Sequence, residues 1–189
     1  MRRAAFAVLL LFVIAVGVSV SPGAAQPPPQ KVVRLPVPKY DGTLTPYTFE
    51  LGYPLVTLVY DTLMLRDAEG VPRPWLARSV RRSEGGSRVT VRLRRGVHWH
   101  DGRPLTADDV AFTFQFVAER AHPRFTTQVT DVESVQAIDS LTVVFDLSRP
   151  SLGFDDQPLA DVPILPRHLW EGLPADQLAP AGLPVGSGP

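Results

Sequence analysis

RGVHWHDGRPLTADDV, residues 95–110, contains the signals for a strand end, a tight turn and a helix start in direct succession. Asp101 and Gly102 predict the turn, because an Asp side chain bonds nearby backbone amides and Gly adopts backbone angles closed to other residues. Thr106 predicts the helix start, since its hydroxyl can accept from the amide of Asp109 and acidic groups favour the positive end of the helix dipole. We therefore expect a strand, a turn and a helix around this stretch.

The helix that begins after Thr106 has an amphipathic pattern. Val110, Phe114 and Val117 recur at spacings of four and three, as on the buried stripe of a helix. Phe112 and Phe116 widen that stripe.

The residues before the turn alternate between aliphatic and arginine side chains. Val89, Val91 and Leu93 fall on one face of a predicted strand, and Ser83 to Ser87, SEGGS, predicts a hairpin before it. The arginines could form a nucleic-acid patch, but a half-buried strand with a solvated face is favoured, because the chain carries no positive excess. The arginines concerned are Arg78, Arg81, Arg82, Arg88, Arg92, Arg94 and Arg95.

Further elements are predicted on both sides of this centre. Residues 31–37 are a strand candidate, residues 54–63 carry a helical spacing, and residues 74–80 suggest a second short helix. Downstream, strands are expected at 129–138 and 141–147.

The amino terminus has the order of a secretory signal. Arg2 and Arg3 precede an apolar run over 4–20, and small residues follow at the end of the segment. This order predicts a signal peptide at 1–25 that is removed on export, with an uncleaved membrane anchor as the alternative. Residues 26–30 then form a Pro-rich spacer.

Composition excludes several classes of protein. The 189 residues contain no Cys, so a disulfide framework, a thiolate metal cluster, a cysteine nucleophile and lipidation through cysteine are excluded. The chain has 19 basic and 19 acidic residues. Removal of Arg2 and Arg3 with the signal makes the mature chain slightly acidic, which gives no general attraction to nucleic acid or anionic lipid.

The histidines of the central stretch are the first candidates for a chemical site. His98 and His100 would lie on one side of a strand beside Asp101, which allows a metal site to be considered. Two imidazoles without a third fixed ligand are too few, and Asp101 and Gly102 already have a turn role. We therefore expect no metal here.

Catalytic candidates are weaker still. Ser187 lies in VGSGP, which lacks the spacing of a nucleophile turn, and no base can be placed near it. The carboxylates Asp155, Asp156 and Asp161 could form a pair, but such groups are usually solvated. The chain is not expected to be an enzyme or to need a cofactor.

The order of these motifs resembles a known family. LVTLVYDTLMLRDAEGVPRPWLARSV, VTVRLRRGVHWHDGRPLTADDVAFTFQFV, VESVQAIDSLTVVFDLSRP, VPILPRHLWE and PVGSGP follow one another as in the amino-terminal part of the bacterial extracellular solute-binding proteins of family 5. These are the binding components of dipeptide, oligopeptide and nickel ABC transporters. The resemblance covers 31–189; Thr45 stands where the family commonly has Asp, and Trp99 where Phe is usual.

The resemblance implies a fold and a domain arrangement. The implied fold is an α/β, periplasmic binding protein-like fold of class II with an extra subdomain. The resemblance also implies that the sequence is an incomplete chain that carries only the first lobe. Residues 31–189 would be the amino-terminal part of the solute-binding domain, with residues 49–162 as the extra subdomain. Pro163 onward would return toward the main sheet.

The resemblance also implies a function and a set of site residues. The protein would be an extracytoplasmic, periplasmic receptor that captures a peptide or similar solute between two lobes and delivers it to ABC permease subunits, acting as a monomer without nucleic acid. A secreted sensor or chaperone-like domain of the same fold is the alternative. The implied ligand-binding residues are Tyr40, Asp41, Gly42, Phe49, Asp161, Gly186 and Ser187.

Overall fold

The structure is a computed structural model that describes residues 44–46, 53–174, 177 and 179–188. The expected signal, spacer and first strand, over 1–37, lie outside these residues. None of the helices in the described part of the chain combines the length and apolarity that a membrane crossing requires. The elements are α1 (Tyr53–Val56), β1 (Met64–Arg66), β2 (Pro72–Pro74), β3 (Ala77–Arg82), β4 (Arg88–Leu93), α2 (Ala107–Glu119), β5 (Val132–Asp139), β6 (Thr142–Leu147) and α3 (Arg167–Trp170), with a 3₁₀ turn at Thr126–Gln128.

A four-stranded antiparallel sheet in the order β3-β4-β6-β5 forms the centre of the fold. Val89, Val91 and Leu93 of β4 are buried, whereas the alternate residues Arg88 and Arg92 are exposed. The period-two prediction for this strand is therefore confirmed. The hairpin predicted at 83–87 joins β3 to β4, and the strands predicted on either side of Asp139 are β5 and β6.

Helix α2 covers the inner face of the sheet and joins two clusters of apolar side chains. Phe114 meets Phe145 of β6 edge to face, with ring centroids 4.8 Å apart. Phe116 is buried on another side of the helix, where its ring lies 5.7 Å from that of Trp170. The predicted widening of the apolar stripe is explained by these two contacts, because the helix packs against the sheet and against α3 at the same time.

The start of α2 is fixed by Asp109, whose side chain is 5% exposed. Thr106 and Asp109 form the expected reciprocal capping box, in which the Thr106 amide donates to Asp109 Oδ2 at 2.8 Å. The same carboxylate accepts from the Arg167 amide at 3.0 Å through Oδ1. The indole of Trp99 lies 3.4 Å from Oδ2. One carboxylate thus joins the helix start to the HDG turn and to α3.

Replacing Asp109 with alanine should lower the free energy of unfolding by about 2 kcal/mol, because the cap is lost and buried amides lose their acceptor. Asp108→Ala is the matched control. Asp108 lies in the same first turn but is exposed, and it should cost about 0.5 kcal/mol through the helix dipole alone. Urea denaturation of both variants measures the difference. Equal losses would show that the network around Asp109 contributes nothing beyond its charge.

The helix predicted at 54–63 was wrong in extent. Only α1, Tyr53–Val56, is helical, and turns follow it. The carbonyls that a longer helix would need are bonded to distant segments: Val59 O accepts from Gly188, and Asp61 O accepts from Ile164. Tertiary hydrogen bonds therefore replace the helical ladder here.

The second helix, predicted at 74–80, was also wrong. These residues leave β2 and enter β3, which pairs with β4 in the antiparallel sheet. The amide of Ala77 donates to Leu63 O at 2.9 Å, and the indole of Trp75 donates to Asp61 at 2.8 Å. Partners from other segments thus hold the chain extended, and the apolar spacing reflects burial at a strand start.

Candidate functional site

The expected site residues divide into two groups. Tyr40, Asp41, Gly42 and Phe49 lie outside the described residues. Asp161, Gly186 and Ser187 are described, and they fall in two separate hydrogen-bond networks.

The segment 185–188 is held against the central turn by His100. The His100 amide donates to Gly186 O at 2.9 Å, and the Gly186 amide lies 3.3 Å from His100 Nδ1. His100 Nε2 is 2.9 Å from Gly188 O. These partners fit a neutral imidazole that donates through Nε2 and accepts through Nδ1. The ring therefore joins the HDG turn to the carboxyl-terminal glycines.

The glycines of this segment are required by the close approach of backbones. A Cβ placed on Gly186 would stand 1.8 Å from Val59 O, and one on Gly188 would stand 2.5 Å from Leu58 O. The Gly188 amide donates to Val59 O at 3.0 Å. Only residues without a side chain allow this contact. Residues 186–188 are thus explained as a segment that packs on residues 58–61.

Ser187 lies between these glycines and bonds to a buried carboxylate. Its Oγ donates to Asp61 Oδ2 at 2.9 Å, and the other oxygen of Asp61 accepts from the indole of Trp75. The side chain of Ser187 has no imidazole partner in the described part of the chain. The arrangement orients a hydroxyl and a half-exposed indole. It lacks the base that a nucleophilic serine requires.

Asp161 is fully buried and belongs to the second network. Its oxygens accept from Arg124 at 2.7 and 3.0 Å and from Gln128 Nε2 at 2.6 Å, and Arg66 Nη1 lies 3.8 Å away. Burial alone would raise the pKa of Asp161, but the hydrogen bonds from Arg124 and Gln128 outweigh it and hold the pKa below its ordinary value. Asp161 is therefore a carboxylate that positions the guanidinium of Arg124.

The other two weighed carboxylates bind arginines as well. Asp155 lies 2.8 Å from Arg82, and Asp156 lies 2.7 Å from Arg66. Each is partly exposed and paired. They do not form a carboxylate pair with Asp161 through any hydrogen bond in the described residues.

The two histidines weighed as metal ligands point to different partners. His98 Nδ1 lies 3.0 Å from Gly96 O, whereas His100 bonds to the carboxyl-terminal glycines. The expectation that both lie on one strand was wrong, because only the bridge between His98 and Pro104 is strand-like in this stretch. Within the described residues, no three His, Asp or Glu side chains converge as metal ligands.

Sequence reasoning did not find Asp61, Trp75, Arg124 or Gln128. Asp61 and Ser187 are 126 positions apart, so no local pattern connects them. Arg124 and Asp161 are 37 positions apart. Asp161 was identified only through the resemblance, and its partners follow only from the structure.

The loop at 44–46, where Thr45 departs from the family pattern, is tied to the end of α2. Thr45 is fully buried, and His122 Nε2 lies 3.0 Å from Pro46 O. Burial lowers the pKa of His122, which favours a neutral ring that donates to this carbonyl. This loop is therefore anchored to the same part of the fold as Arg124.

Comparison with solved structures gives the class of protein. The oligopeptide-binding protein AppA from Bacillus subtilis, solved in complex with a nonapeptide, matches with a TM-score of 0.69 at 27% identity over 81% of this chain and 31% of that chain. NikZ from Campylobacter jejuni, solved in complex with Ni(L-His), matches with a TM-score of 0.70 at 28% identity over the same shares. The expected fold class is confirmed: the chain has the α/β fold of the periplasmic solute-binding proteins.

Sequence comparison gives the family. The family model described as Bacterial extracellular solute-binding proteins, family 5 Middle, matches residues 71–189. The probable peptide-binding protein YejA of Agrobacterium fabrum is 31% identical over 123 residues, which are 64% of this chain and 20% of that protein. The chain belongs to the bacterial extracellular solute-binding proteins of family 5, as the motif order indicated. It spans between 20% and 29% of the length of the curated relatives that it is compared with here.

Proposed function

We propose that this chain is part of the extracytoplasmic binding component of an ABC importer. The whole protein captures a peptide or similar small solute between two lobes and delivers it to permease subunits in the membrane. The observation that carries this proposal is the match of the fold to AppA, whose structure holds a nonapeptide. The family match over 71–189 supports it independently.

Peptides are the proposed solute class. YejA of Agrobacterium fabrum is named as a probable peptide-binding protein, and AppA is named for oligopeptides. A peptide buried between two lobes exchanges its water shell for fixed polar groups on both walls. The charged and polar groups in the described part of this chain fit one such wall.

The proposed domain arrangement follows the same reasoning. The sheet β3-β4-β6-β5 and α2 share one apolar cluster, which supports residues 49–162 as an extra subdomain. Leu165 and Trp170 pack with Val56, Tyr60 and Phe116 in a second cluster, so the segment proposed to return toward the main sheet after Pro163 also packs against the proposed subdomain.

The proposed ligand contacts come from the loop at 40–42, from Phe49, and from Asp161, Gly186 and Ser187. Asp161 acts together with Arg124, since its carboxylate already binds that guanidinium. Gly186 and Ser187 are proposed to lie at the edge of the ligand-binding surface, where Ser187 donates a hydrogen bond to Asp61. The protein is a monomer that is exported through the signal at 1–25 and performs no catalysis.

Ligand identification on the intact protein tests this proposal. Native mass spectrometry of protein purified from the periplasm should detect bound peptides, and calorimetry with those peptides should give saturable binding. Tyr40→Ala should weaken that binding about tenfold or more through loss of an aromatic contact. Leu152→Ala is the control, because Leu152 is 99% exposed in the described structure. Failure of every peptide to bind, or equal binding by both variants, would contradict the assignment.

A further inference from the structure

A groove of about 640 Å³ opens on the sheet at the start of β3, the end of β4 and the turn between β5 and β6. Four arginines line it: Arg78 and Arg81 from β3, Arg92 from β4, and Arg95 just after β4. Asp139 is its one acidic residue. The groove therefore carries a positive excess, although the chain as a whole is not basic.

The guanidinium groups of this groove are unpaired. None of the four donates a hydrogen bond or forms an ion pair within the described residues, whereas every other arginine of that part of the chain does so. Asp139 offsets only part of this charge: its negative charge attracts the nearby Arg92, but the two side chains form no ion pair, and its Oδ1 accepts from the Leu141 amide at 2.8 Å. Like charges gathered in one concave surface repel one another, and an anion relieves that repulsion.

The spacing of the arginines defines the shape of the anion. Arg78 and Arg81 are three positions apart along β3, which separates their Cα atoms by about 10 Å in an extended strand, and Arg92 and Arg95 lie near the end of β4 and in the turn that follows it. The four arginines come from two strands and the turn after β4, so an anion with several charged groups can contact more of them than a single phosphate can. An extended peptide places alternate side chains about 7 Å apart on one face, which suits several carboxylates along this groove. Guanidinium groups bind carboxylates through two parallel hydrogen bonds.

We propose that this groove binds an acidic, extended polypeptide segment of a partner protein. The groove has no aromatic side chain on which a nucleobase could stack, so a nucleic acid is not favoured. Its concave shape receives a narrow segment better than the flat surface of a bilayer. Strand β3 is the edge of the sheet, which leaves the groove open along one side. None of the residues that line the groove is among the ligand contacts proposed above.

Fluorescence anisotropy on the intact protein tests this inference with a labelled peptide of alternating Glu and Thr. The double variant Arg81→Gln, Arg92→Gln should weaken binding about tenfold or more, and higher salt should weaken the parent protein in the same direction. The control double variant, Arg73→Gln, Arg149→Gln, removes the same charge from exposed arginines that are paired with Asp67 and Asp131. It should change the affinity less than twofold.

A twin peptide of alternating Gln and Thr separates this groove from the solute-binding region. Failure of the twin to bind concerns the proposed function and leaves the groove unaffected, whereas twin affinity equal to that of the acidic peptide shows that the arginines of the groove add nothing. Three results would overturn the inference: equal loss in both double variants, equal affinity for the twin, or tighter binding of pyrophosphate, an oligonucleotide or phosphatidylglycerol vesicles than of the acidic peptide.

Discussion

Replacing Gly186 with alanine should lower the free energy of unfolding by about 3 kcal/mol, the upper part of the range for overpacked sites. The new methyl group would stand 1.8 Å from Val59 O and 2.6 Å from the carbon of the same carbonyl. Both are backbone atoms, so no side-chain rotation relieves the clash. The segment must move away and lose its bonds to His100 and Asp61.

Gly85→Ala is the matched control for this prediction. Gly85 lies in the hairpin between β3 and β4, and a Cβ there meets nothing within 4 Å. It should change stability by less than about 0.5 kcal/mol. Urea denaturation measures the global effect, and hydrogen exchange at the Gly188 amide detects detachment of the segment alone. If Gly186→Ala matches Gly85→Ala in both measurements, the close approach to Val59 is not a constraint on the fold.

The elements that the sequence predicts well are those decided by neighbouring residues. Three features depend only on residues that are close together in the sequence: the turn at Asp101 and Gly102, the capping box of α2 and the alternation of β4. Gly102 adopts a φ of 85°, the conformation for which glycine was expected. Local chemistry is sufficient here because tertiary contacts reinforce the same conformations.

The helices predicted at 54–63 and 74–80 failed because their backbone groups have distant partners. Val59 O, Asp61 O and Leu63 O accept from Gly188, Ile164 and the Trp75–Ala77 backbone. An apolar spacing of three and four does not distinguish a helix from a turn or strand whose apolar residues are held by tertiary contacts. Both helices were therefore predicted wrongly because tertiary hydrogen bonds, and not the local apolar spacing, decide the conformation of these segments.

For the described part of the proposed site, the sequence predicted which residues belong to it but not which partners they bond to. Resemblance pointed to Asp161, Gly186 and Ser187, but nothing along the chain indicated that Asp61 would accept the Ser187 hydroxyl or that Arg124 would bind Asp161. Such pairs are created by the folding of segments far apart in sequence. His100 was considered as a metal ligand, but its ring instead forms hydrogen bonds with backbone groups of Gly186 and Gly188.

Asp161→Asn should lower the free energy of unfolding at neutral pH by about 3 kcal/mol, because it removes the charge from a fully buried site that binds Arg124. The carboxylate accepts three hydrogen bonds from Arg124 and Gln128. An amide in its place would direct N–H groups toward these donors. The partial exposure of Arg124 keeps the loss at the lower end for a broken buried pair.

The same contacts predict a pH dependence. Burial raises the pKa of Asp161, but the Arg124 and Gln128 hydrogen bonds lower it further, so the folded protein has the lower pKa. A depressed folded pKa gives stability that is complete at neutral pH and is lost as the pH falls below about 4. Parent protein and Asp161→Asn should therefore approach each other in stability under acidic conditions.

Asp156→Asn isolates the effect of burial from the effect of charge. Asp156 also binds an arginine, Arg66, but its side chain is 49% exposed, so its loss should cost less than about 1 kcal/mol and depend on salt. Denaturation of both variants from pH 7 down to pH 3 measures the two effects together. Two results would contradict this prediction: an equal loss of stability in both variants at pH 7, or an Asp161→Asn deficit that is unchanged at pH 3. Either result would mean that the packing of the Asp161 side chain, and not its buried ion pair, provides the stabilisation.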